Sequence, residues 1–499
     1  MFPGLSLCRI QHRISSQMSV STTCTRDSAD LTSQCKLKQK AIKTLVLHVI
    51  SSRFVLFLVQ LIFNSFDFST DAFKGIEEPD DSVFRLLRGF VRWDSIQFLH
   101  IARHGYVYEH SLAFFPLFPT LLRTGADVIS IISSGVFSPS SNVILSGFFL
   151  NHVCFLISSL LIYSISSTIT SSKKIASISV LLFSINPASI FFSSLYTESL
   201  YCCLTLLGIY VLISSSSFYI RLPLVTILFS AALLTRSNGL LNIGYVLFYE
   251  GLRSIRGQRN DRIVKQILNI GWYLARVSVV IIFVILSLRV HSVRQTNQYC
   301  TESKIALPES VAAFGIKENL TIIGTAVPWC SQFSIIYPPF FSSIQDRYWD
   351  VSLFGYWKIQ KLPCFLMAAP VIIFTIYCTI RVLNRLLRNG VNWFIDSYGD
   401  SLPYALHSIA LLIPALLIYN VEVYTRIIFS SSPFLYIELA RILDENTPNI
   451  RVEHLAKPTI FPFVSYLLYR RDICCVISAY FFLFYFMGTV MHTSFLPFT

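Results

Sequence analysis

The sequence has little charge for its length. Only 13% of its 499 residues are Asp, Glu, Lys or Arg, whereas soluble globular domains contain about 25%. This shortage excludes a water-soluble enzyme of that size, and a hydrophobic content of 54% excludes a disordered chain. Mean hydropathy is +0.60 and aromatic residues make up 14% of the chain, as is typical of proteins whose solvent is largely lipid. We therefore expect an all-α, polytopic membrane protein.

Several motifs of soluble enzymes are missing as well. No Walker loop, GxGxxG, HExxH, GxSxG or DxD motif occurs, so nucleotide-driven chemistry, classical hydrolysis and metal-dependent use of a sugar nucleotide are disfavoured. The twelve cysteines form no CxxC pair, which disfavours zinc and thioredoxin-type sites. We predict no cofactor, no metal site and no nucleic-acid partner.

Apolar runs are abundant. A membrane span needs about 20 mostly apolar residues, and runs of that kind occur at 44–63, 142–165, 175–192, 197–213, 268–288, 364–380, 402–420, 426–443 and 473–491. The stretch 222–249 is also apolar, but Thr235–Gly239 interrupts it. If the Lys/Arg-rich loops face the cytosol, this stretch must form two short helices that turn at Arg236–Gly239. The pattern then predicts eleven crossings.

The same frame divides the chain into segments. They are a basic, poorly ordered cytosolic tail (1–43), a first transmembrane helix (44–63), a first lumenal loop (64–141), transmembrane helices with short loops (142–289), a second large lumenal loop (290–363) and C-terminal transmembrane helices (364–499). Ordinary helix connections have about 2–8 residues, so the two long loops indicate an active face in the lumen. Asn319 begins a glycosylation sequon there. Spacing alone allows Cys300 and Cys330 to form a disulfide or to remain free thiols.

The densest polar pattern lies in the first long loop, between Arg92 and Pro119. A helix is expected from Trp93 to Gly105, with Asp94 at its start. Asp94 is suited to act as a general base, although residue type alone favours a helix-capping role at that position.

Histidines follow in the same pattern. His100 and His104 have the spacing of metal ligands, but the glutamate of HExxH is missing, so this signal is weak. We instead expect His104 and His110 to bind phosphate or sugar hydroxyls, together with the neighbouring Glu109. A purely interfacial role is as plausible for His100.

Three further polar groups lie near predicted lumenal helix ends. In Asn186–Ser199, Tyr196 and Glu198 begin a span, and a carboxylate inside a membrane needs a partner or a task. Arg236, beside Asn238, is the expected partner, and a purely structural Glu198–Arg236 pair is the alternative. The second group is a cluster in the predicted lumenal loop 290–363, and its candidates are Gln345, Asp346, Tyr348 and Trp349. The third is Arg426, which either neutralises a lipid phosphate or extends to the interface without function.

These segments resemble the PIG-V family of GPI mannosyltransferases. The matching motifs, in chain order, are WDSIQFLHIARHGYVYEHSLAFFPLFP, NPASIFFSSLYTES, RSNGL, PWC, IQDRYWDVSLFGYWKIQKLPCFLMAAP and the C-terminal HTSFLPFT. They extend from about residue 44 to the last residue. The chain departs from the family in its long tail 1–43 and at Phe498, where the family usually has Trp.

The resemblance implies a GT-C membrane fold, a location in the endoplasmic reticulum and the use of dolichyl phosphate mannose as donor. It further implies transfer of the second, α-1,6-linked mannose to a GPI-precursor glycolipid, with Asp94 at the position of the family's acidic loop residue. A β-linked donor and an α-linked product require inversion, which needs one carboxylate base. Arg236, Arg426 or His104 would stabilise the leaving phosphate. Membrane lipids are expected partners, and a small membrane partner subunit is left open.

Other functions compete with this interpretation. A GT-C mannosyltransferase for another lipid-linked acceptor would have a similar pattern around Asp94. A lipid transporter or scramblase would show repeat symmetry and mid-membrane charge, whereas the polar groups here gather at predicted lumenal helix ends. A silent scaffold would tolerate the loss of Asp94.

Overall fold

The computed structural model describes residues 27–66, 81–256, 263–301, 307–325, 327–332, 337–397, 399–448 and 456–498. The chain divides into two compact units, residues 1–44 and 45–499. In the smaller unit the described residues are helical. The segment 27–43, part of the tail expected to be poorly ordered, lies in a helix that begins at Asp27. The rest of the predicted tail lies outside the described residues.

The described residues form eighteen α-helices, numbered α1 to α18 in chain order. The first nine are α1 (Asp27–Phe63), α2 (Ser82–Leu87), α3 (Asp94–His104), α4 (Leu117–Ile132), α5 (Pro139–Thr170), α6 (Lys173–Ser184), α7 (Glu198–Ser214), α8 (Phe218–Leu233) and α9 (Ile243–Arg256). The others are α10 (Ile263–Thr301), α11 (Glu309–Lys317), α12 (Pro339–Trp349), α13 (Leu362–Asp396), α14 (Leu402–Leu417), α15 (Val423–Ser431), α16 (Phe434–Asn446), α17 (Phe461–Leu468) and α18 (Ile473–Thr493). The same residues contain no strand, only an isolated bridge between Tyr108 and Ile322.

Six helices in the described part of the chain are long and apolar enough to cross a membrane. They are Gln39–Phe63, Pro139–Thr170, Phe218–Thr235, Lys265–Thr301, Ile359–Asp396 and Ile473–Thr493, and two shorter apolar helices are Glu198–Ser214 and Leu402–Leu417. The protein is thus an all-α, multi-pass membrane protein. The count of eleven crossings stays a prediction.

Two apolar runs show how local sequence breaks a span. The run 222–249 forms α8 and α9, separated by a 3₁₀ turn at Ser237–Asn242, so the predicted break is confirmed. The run 426–443 was predicted as one span, and this is wrong because the helix breaks at Ser432 and Pro433, between α15 and α16. Proline lacks an N–H donor and pushes the preceding residue out of the helical region.

An irregular, fully buried segment joins α6 to α7. Residues 185–197 are non-helical and buried throughout. Irregular backbone is tolerated at membrane depth only where protein groups satisfy it. Arg53 of α1 donates to the carbonyl oxygen of Ser189 in this segment at 3.2 Å and to that of Ser184, the last residue of α6, at 2.6 Å. The predicted helix-to-helix turn at Asn186–Ser199 is therefore held from within the core.

The basic residues predicted to be cytosolic bind acidic side chains and carbonyl oxygens of two neighbouring helices, α13 and α16. The contacts are Lys174–Asp444 at 2.7 Å, Arg381–Glu445 at 2.6 Å, Arg385–Glu438 at 2.7 Å, Arg256 Nε to the carbonyl of Ile395 at 2.7 Å and Arg470 Nη2 to the carbonyl of Asn446 at 3.0 Å. The carboxylates and carbonyls come from α13, α16 and the ends of these helices, so these basic residues lie together in the fold.

Candidate active site

Asp94 lies at the start of α3, directly after a strained turn. Trp93 has φ +54° and ψ −127°, a conformation that L residues rarely adopt. The helix ends at Gly105, as predicted. The Asp94 carboxylate accepts a hydrogen bond from Arg426 Nη1 at 3.0 Å, and Trp93, not Asp94, is the N-cap residue. The geometry therefore favours an ionic role for Asp94 over helix capping.

Arg426, on α15, connects the two carboxylates of the site. Its Nη1 contacts Asp94, and its Nε lies 3.9 Å from Glu198 Oε1. The guanidinium carbon lies 5.4 Å from the ring centre of Phe191 and 5.6 Å from that of Tyr196. Cations are attracted to aromatic faces at such distances. The guanidinium is thus held between two acids and two rings.

Glu198 is the first residue of α7 and is fully buried. A carboxylate is favoured at a helix N-terminus, where the macrodipole is positive. Arg236 donates to Glu198, and also to the Thr197 hydroxyl at 3.3 Å. The predicted Glu198–Arg236 pair is therefore present, and it adjoins the Asp94–Arg426 pair through the shared Glu198 oxygen.

The turn that carries Arg236 depends on a glycine. A Cβ at Gly239 would lie 2.6 Å from the backbone nitrogen of Leu233, so only glycine lets the 3₁₀ turn pack against the end of α8. In the same turn, Asn238 Nδ2 donates to the Ser431 hydroxyl of α15 at 2.9 Å. The RSNG sequence thus links the Arg236 turn to the helix of Arg426.

The four charges are balanced but unequally exposed. The side chain of Asp94 is 33% exposed, whereas that of Glu198 is fully buried. Within the described part of the chain, Glu198 Oε2 and Arg426 Nε have no hydrogen-bond partner. The cluster therefore combines one partly exposed carboxylate, which can accept a proton, with two guanidinium groups, which can bind an anion.

A second cluster forms around Glu109, which lies in a 3₁₀ turn of the first long loop. Its buried carboxylate accepts hydrogen bonds from Trp329 Nε1 at 2.8 Å, Arg347 Nη1 at 2.8 Å and the Tyr348 hydroxyl at 2.9 Å. Burial, together with the bond to Glu109, raises the pKa of Tyr348. All three donors come from the second long loop, so Glu109 ties the two loops together.

A disulfide reinforces this connection. Cys300 and Cys330 are bonded, with their Cα atoms 6.0 Å apart. Cys300 lies near the end of α10, and Cys330 follows Trp329, whose indole is bonded to Glu109. Of the two alternatives that the sequence left open, the structure has the cross-link.

The histidines adjoin the second cluster. His110 Nε2 lies 3.0 Å from Gln97 Oε1 of α3, and its ring stacks at 5.7 Å on Tyr108. Burial, and then the proximity of His100, lowers the pKa of His110 to about 4. The rings of His100 and His104 lie 5.0 Å apart. Within the described residues no group of three or more His, Cys, Asp or Glu is placed to hold a metal ion.

The predicted site residues thus fall into separate groups. Those at the Asp94 cluster are Asp94, Tyr196, Glu198, Arg236, Asn238 and Arg426; those at or beside the Glu109 cluster are Glu109, His110 and Tyr348, with His104 next to His100. Trp93 packs against Phe495 and Trp349 against Phe114. Asp346 is exposed and Gln345 half-buried.

Sequence reasoning missed several neighbours of the site. Phe191 lies beneath Arg426, and Phe495 and His492 belong to the C-terminal motif. Aromatic residues in apolar runs look like ordinary core. The only available signal was their presence inside the motifs NPASIFFSSLYTES and HTSFLPFT.

Comparisons with known proteins identify the family of this chain. Residues 42–499 match the family described as Mannosyltransferase (PIG-V). GPI mannosyltransferase pigv-1 of Caenorhabditis elegans is 31% identical, over 90% of this chain and 80% of that protein. GPI alpha-1,6-mannosyltransferase 2 of Rattus norvegicus is 28% identical, over 92% of this chain and 98% of that protein.

Among solved structures, the apo oligosaccharyltransferase of Archaeoglobus fulgidus superposes with a TM-score of 0.46 at 12% identity, over 89% of this chain and 56% of that one. The family match extends through the first membrane helix, both charge clusters and the C-terminal motif. The chain therefore belongs to the PIG-V family of mannosyltransferases.

Proposed function

We propose that this protein transfers the second, α-1,6-linked mannose of the GPI core from dolichyl phosphate mannose to the one-mannose GPI precursor, at the lumenal face of the endoplasmic reticulum membrane. Family membership and the names of the relatives support a GPI mannosyltransferase. The observation that carries the proposal is the partly exposed Asp94 carboxylate, which is bonded to Arg426. Arg426 in turn adjoins the Glu198–Arg236 ion pair.

In this proposal Asp94 is the general base. It takes the proton from the 6-hydroxyl of the acceptor mannose while the hydroxyl oxygen bonds to the anomeric carbon of the donor. The bond from that carbon to the phosphate oxygen breaks on the opposite face, and the phosphate leaves with the electron pair. The β-linked donor thereby becomes an α-linked product. Because phosphate is a good leaving group, a second carboxylic acid is dispensable.

Arg426 and Arg236 would stabilise the departing dolichyl phosphate. A guanidinium group carries five N–H donors in a planar fork, so Arg426 can hold Asp94 through Nη1 and still offer donors to phosphate oxygens. Preorganised cations act strongly in a water-excluded site. Glu198 contacts both arginines and would hold their guanidinium groups close together.

Asp94→Asn tests the assignment, because it preserves size but removes basicity. In microsomes from cells lacking the native enzyme, labelled dolichyl phosphate mannose should extend a one-mannose glycolipid when the wild-type chain is expressed. The variant should lose about 10²–10⁴-fold in rate at an unchanged protein level, and the one-mannose intermediate should accumulate. Asp94→Glu should retain a trace. Normal turnover by Asp94→Asn would exclude this base. Transfer to other lipid-linked acceptors only would favour a different GT-C mannosyltransferase.

Asn319 tests the lumenal orientation. It is exposed in a turn directly after α11, where a glycosyltransferase could reach its sequon. We expect a glycosidase-sensitive mass that Asn319→Gln removes, together with protease protection of a C-terminal tag in sealed microsomes. Cleavage of that tag from the cytosolic side would contradict the orientation.

A further inference from the structure

The C-terminal motif lies against the candidate active site. Helix α18 ends at Thr493, and the chain then turns back with Ser494, Phe495 and Phe498 buried. Phe495 has φ +59°, so the turn is strained. The mechanism proposed above uses none of these residues, although HTSFLPFT is one of the segments by which the chain resembles its family.

One set of contacts reaches the turn that carries Asp94. Arg92 Nε donates to the carbonyl oxygen of Thr493 at 3.0 Å, and its guanidinium lies 4.5 Å from the centre of the Phe495 ring. The Trp93 ring lies 5.6 Å from the same ring. A Cβ at Gly89 would lie 2.5 Å from Thr493 Cγ2, which shows how closely the two segments approach.

A second set of contacts reaches the rings beneath Arg426. Phe498 stacks on Phe191 with 6.0 Å between centroids and an interplanar angle of 5°. The ring of His492 lies 5.4 Å from Phe191 and 5.7 Å from Tyr196. Phe191 and Tyr196 are the two rings that face the Arg426 guanidinium. The C-terminal motif therefore contacts the supports of both members of the Asp94–Arg426 pair.

We propose that the C-terminal segment 492–498 positions the Asp94–Arg426 pair and that Phe495 is a positioning residue for mannosyl transfer. The left-handed backbone of Trp93 persists only where its surroundings enforce it, and Phe495, packed against both Arg92 and Trp93, supplies such surroundings. Without the ring, Trp93 relaxes towards ordinary backbone angles and Asp94 moves relative to Arg426. This inference rests on the proposed role of Asp94 as base.

Misplacement of a catalytic group by about 1 Å can cost about 10²-fold in rate. Phe495 lies beside the turn and carries none of the charges of the site. Its loss should therefore lower kcat by about 10- to 100-fold. The KM values for donor and acceptor should stay unchanged. A ring that only stabilised the fold would lower the amount of enzyme and leave the kcat of the folded fraction intact.

The test compares matched substitutions in the full-length protein. Phe495→Ala and the milder Phe495→Leu remove the ring, whereas Phe495→Tyr retains it. Phe463→Leu makes the same change at a fully buried phenylalanine of α17, whose ring partner is His48. We would measure kcat and both KM values per folded molecule. Hydrogen–deuterium exchange would follow the amides of Ser95 and Ile96, which donate to the carbonyls of Arg92 and Trp93.

We expect Phe495→Leu to lower kcat and to accelerate exchange at these two amides, Phe495→Tyr to behave as wild type, and Phe463→Leu to change neither. Wild-type kcat in Phe495→Leu, unchanged exchange, or an equal loss of kcat in Phe463→Leu would overturn the inference. If Asp94→Asn proved fully active, the proposed base would fail, while the exchange measurement would still show whether Phe495 holds the turn.

Discussion

Two buried glutamates of this protein have opposite surroundings. Glu109 accepts hydrogen bonds from a tryptophan, a tyrosine and an arginine at 2.8–2.9 Å. Glu198 shares one oxygen between two arginines, and its other oxygen has no hydrogen-bond partner in the described part of the chain. Buried polar groups are normally satisfied, and an exception calls for an explanation. We call the saturated Glu109 cluster closed and the Glu198 cluster open, and we expect a ligand to bind at the open cluster rather than at the closed one.

The arginines of the two clusters differ in the same way. The side chain of Arg347 is 56% exposed and contacts one carboxylate, whereas that of Arg426 is 15% exposed and adjoins two. Charges act over a longer range where water is excluded. An anion near Arg426 would therefore be stabilised more strongly than one near Arg347.

The largest effect expected from this comparison is the difference in kcat between variants of these two arginines. Arg426→Gln removes the cation that holds Asp94 and would face the leaving phosphate, so kcat should fall by about 10²–10³-fold. Arg347→Gln, the matched control, should change kcat less than twofold, because it affects only the loop contact. The microsomal mannosyl-transfer assay measures both. Equal losses would contradict the division into an open and a closed cluster.

The disulfide should matter for stability rather than for chemistry. Cys300→Ser combined with Cys330→Ser opens a loop with a sequence separation of 30 residues. From chain entropy the free energy of unfolding should fall by about 3–4 kcal/mol. Thermal unfolding of the detergent-solubilised protein would measure this, with reductant-treated wild type as the control. An unchanged transition temperature would show that the cross-link does not hold the Glu109 cluster.

The smallest expected effect concerns Glu109 itself. Glu109→Gln keeps the volume but removes the charge and one acceptor position, so unfolding should become easier by about 1–3 kcal/mol, with the donor KM unchanged. Glu198→Gln, the matched substitution in the open cluster, should raise the donor KM because its two arginines lose the carboxylate that holds them in position. Kinetics at varied donor concentration would distinguish the two glutamates. A raised donor KM in Glu109→Gln would make Glu109 a substrate contact after all.

Local patterns predicted part of this molecule correctly. The helix beginning near Asp94 and ending at Gly105, and the break at Arg236–Gly239, depend on the residues of those segments alone. The continuous span 426–443 was wrong because average hydropathy outweighed the signal of Pro433. The helical start at Asp27 was also missed, because the polar segment before residue 44 has no apolar periodicity to indicate a helix.

The sequence by itself determined that the protein is a helical membrane protein, that its polar chemistry gathers near predicted lumenal helix ends, and that Asp94 and Arg426 are candidates. Composition, apolar periodicity and helix-breaking residues act within a few turns of chain, so they can be read locally. Only the tertiary structure paired Asp94 with Arg426, 332 positions away. It also brought three hydrogen-bond donors of the second long loop to Glu109 and placed the C-terminal motif against the residues that surround Asp94 and Arg426. Such contacts depend on how helices pack, because long-range partners leave no local pattern in the residues that form them.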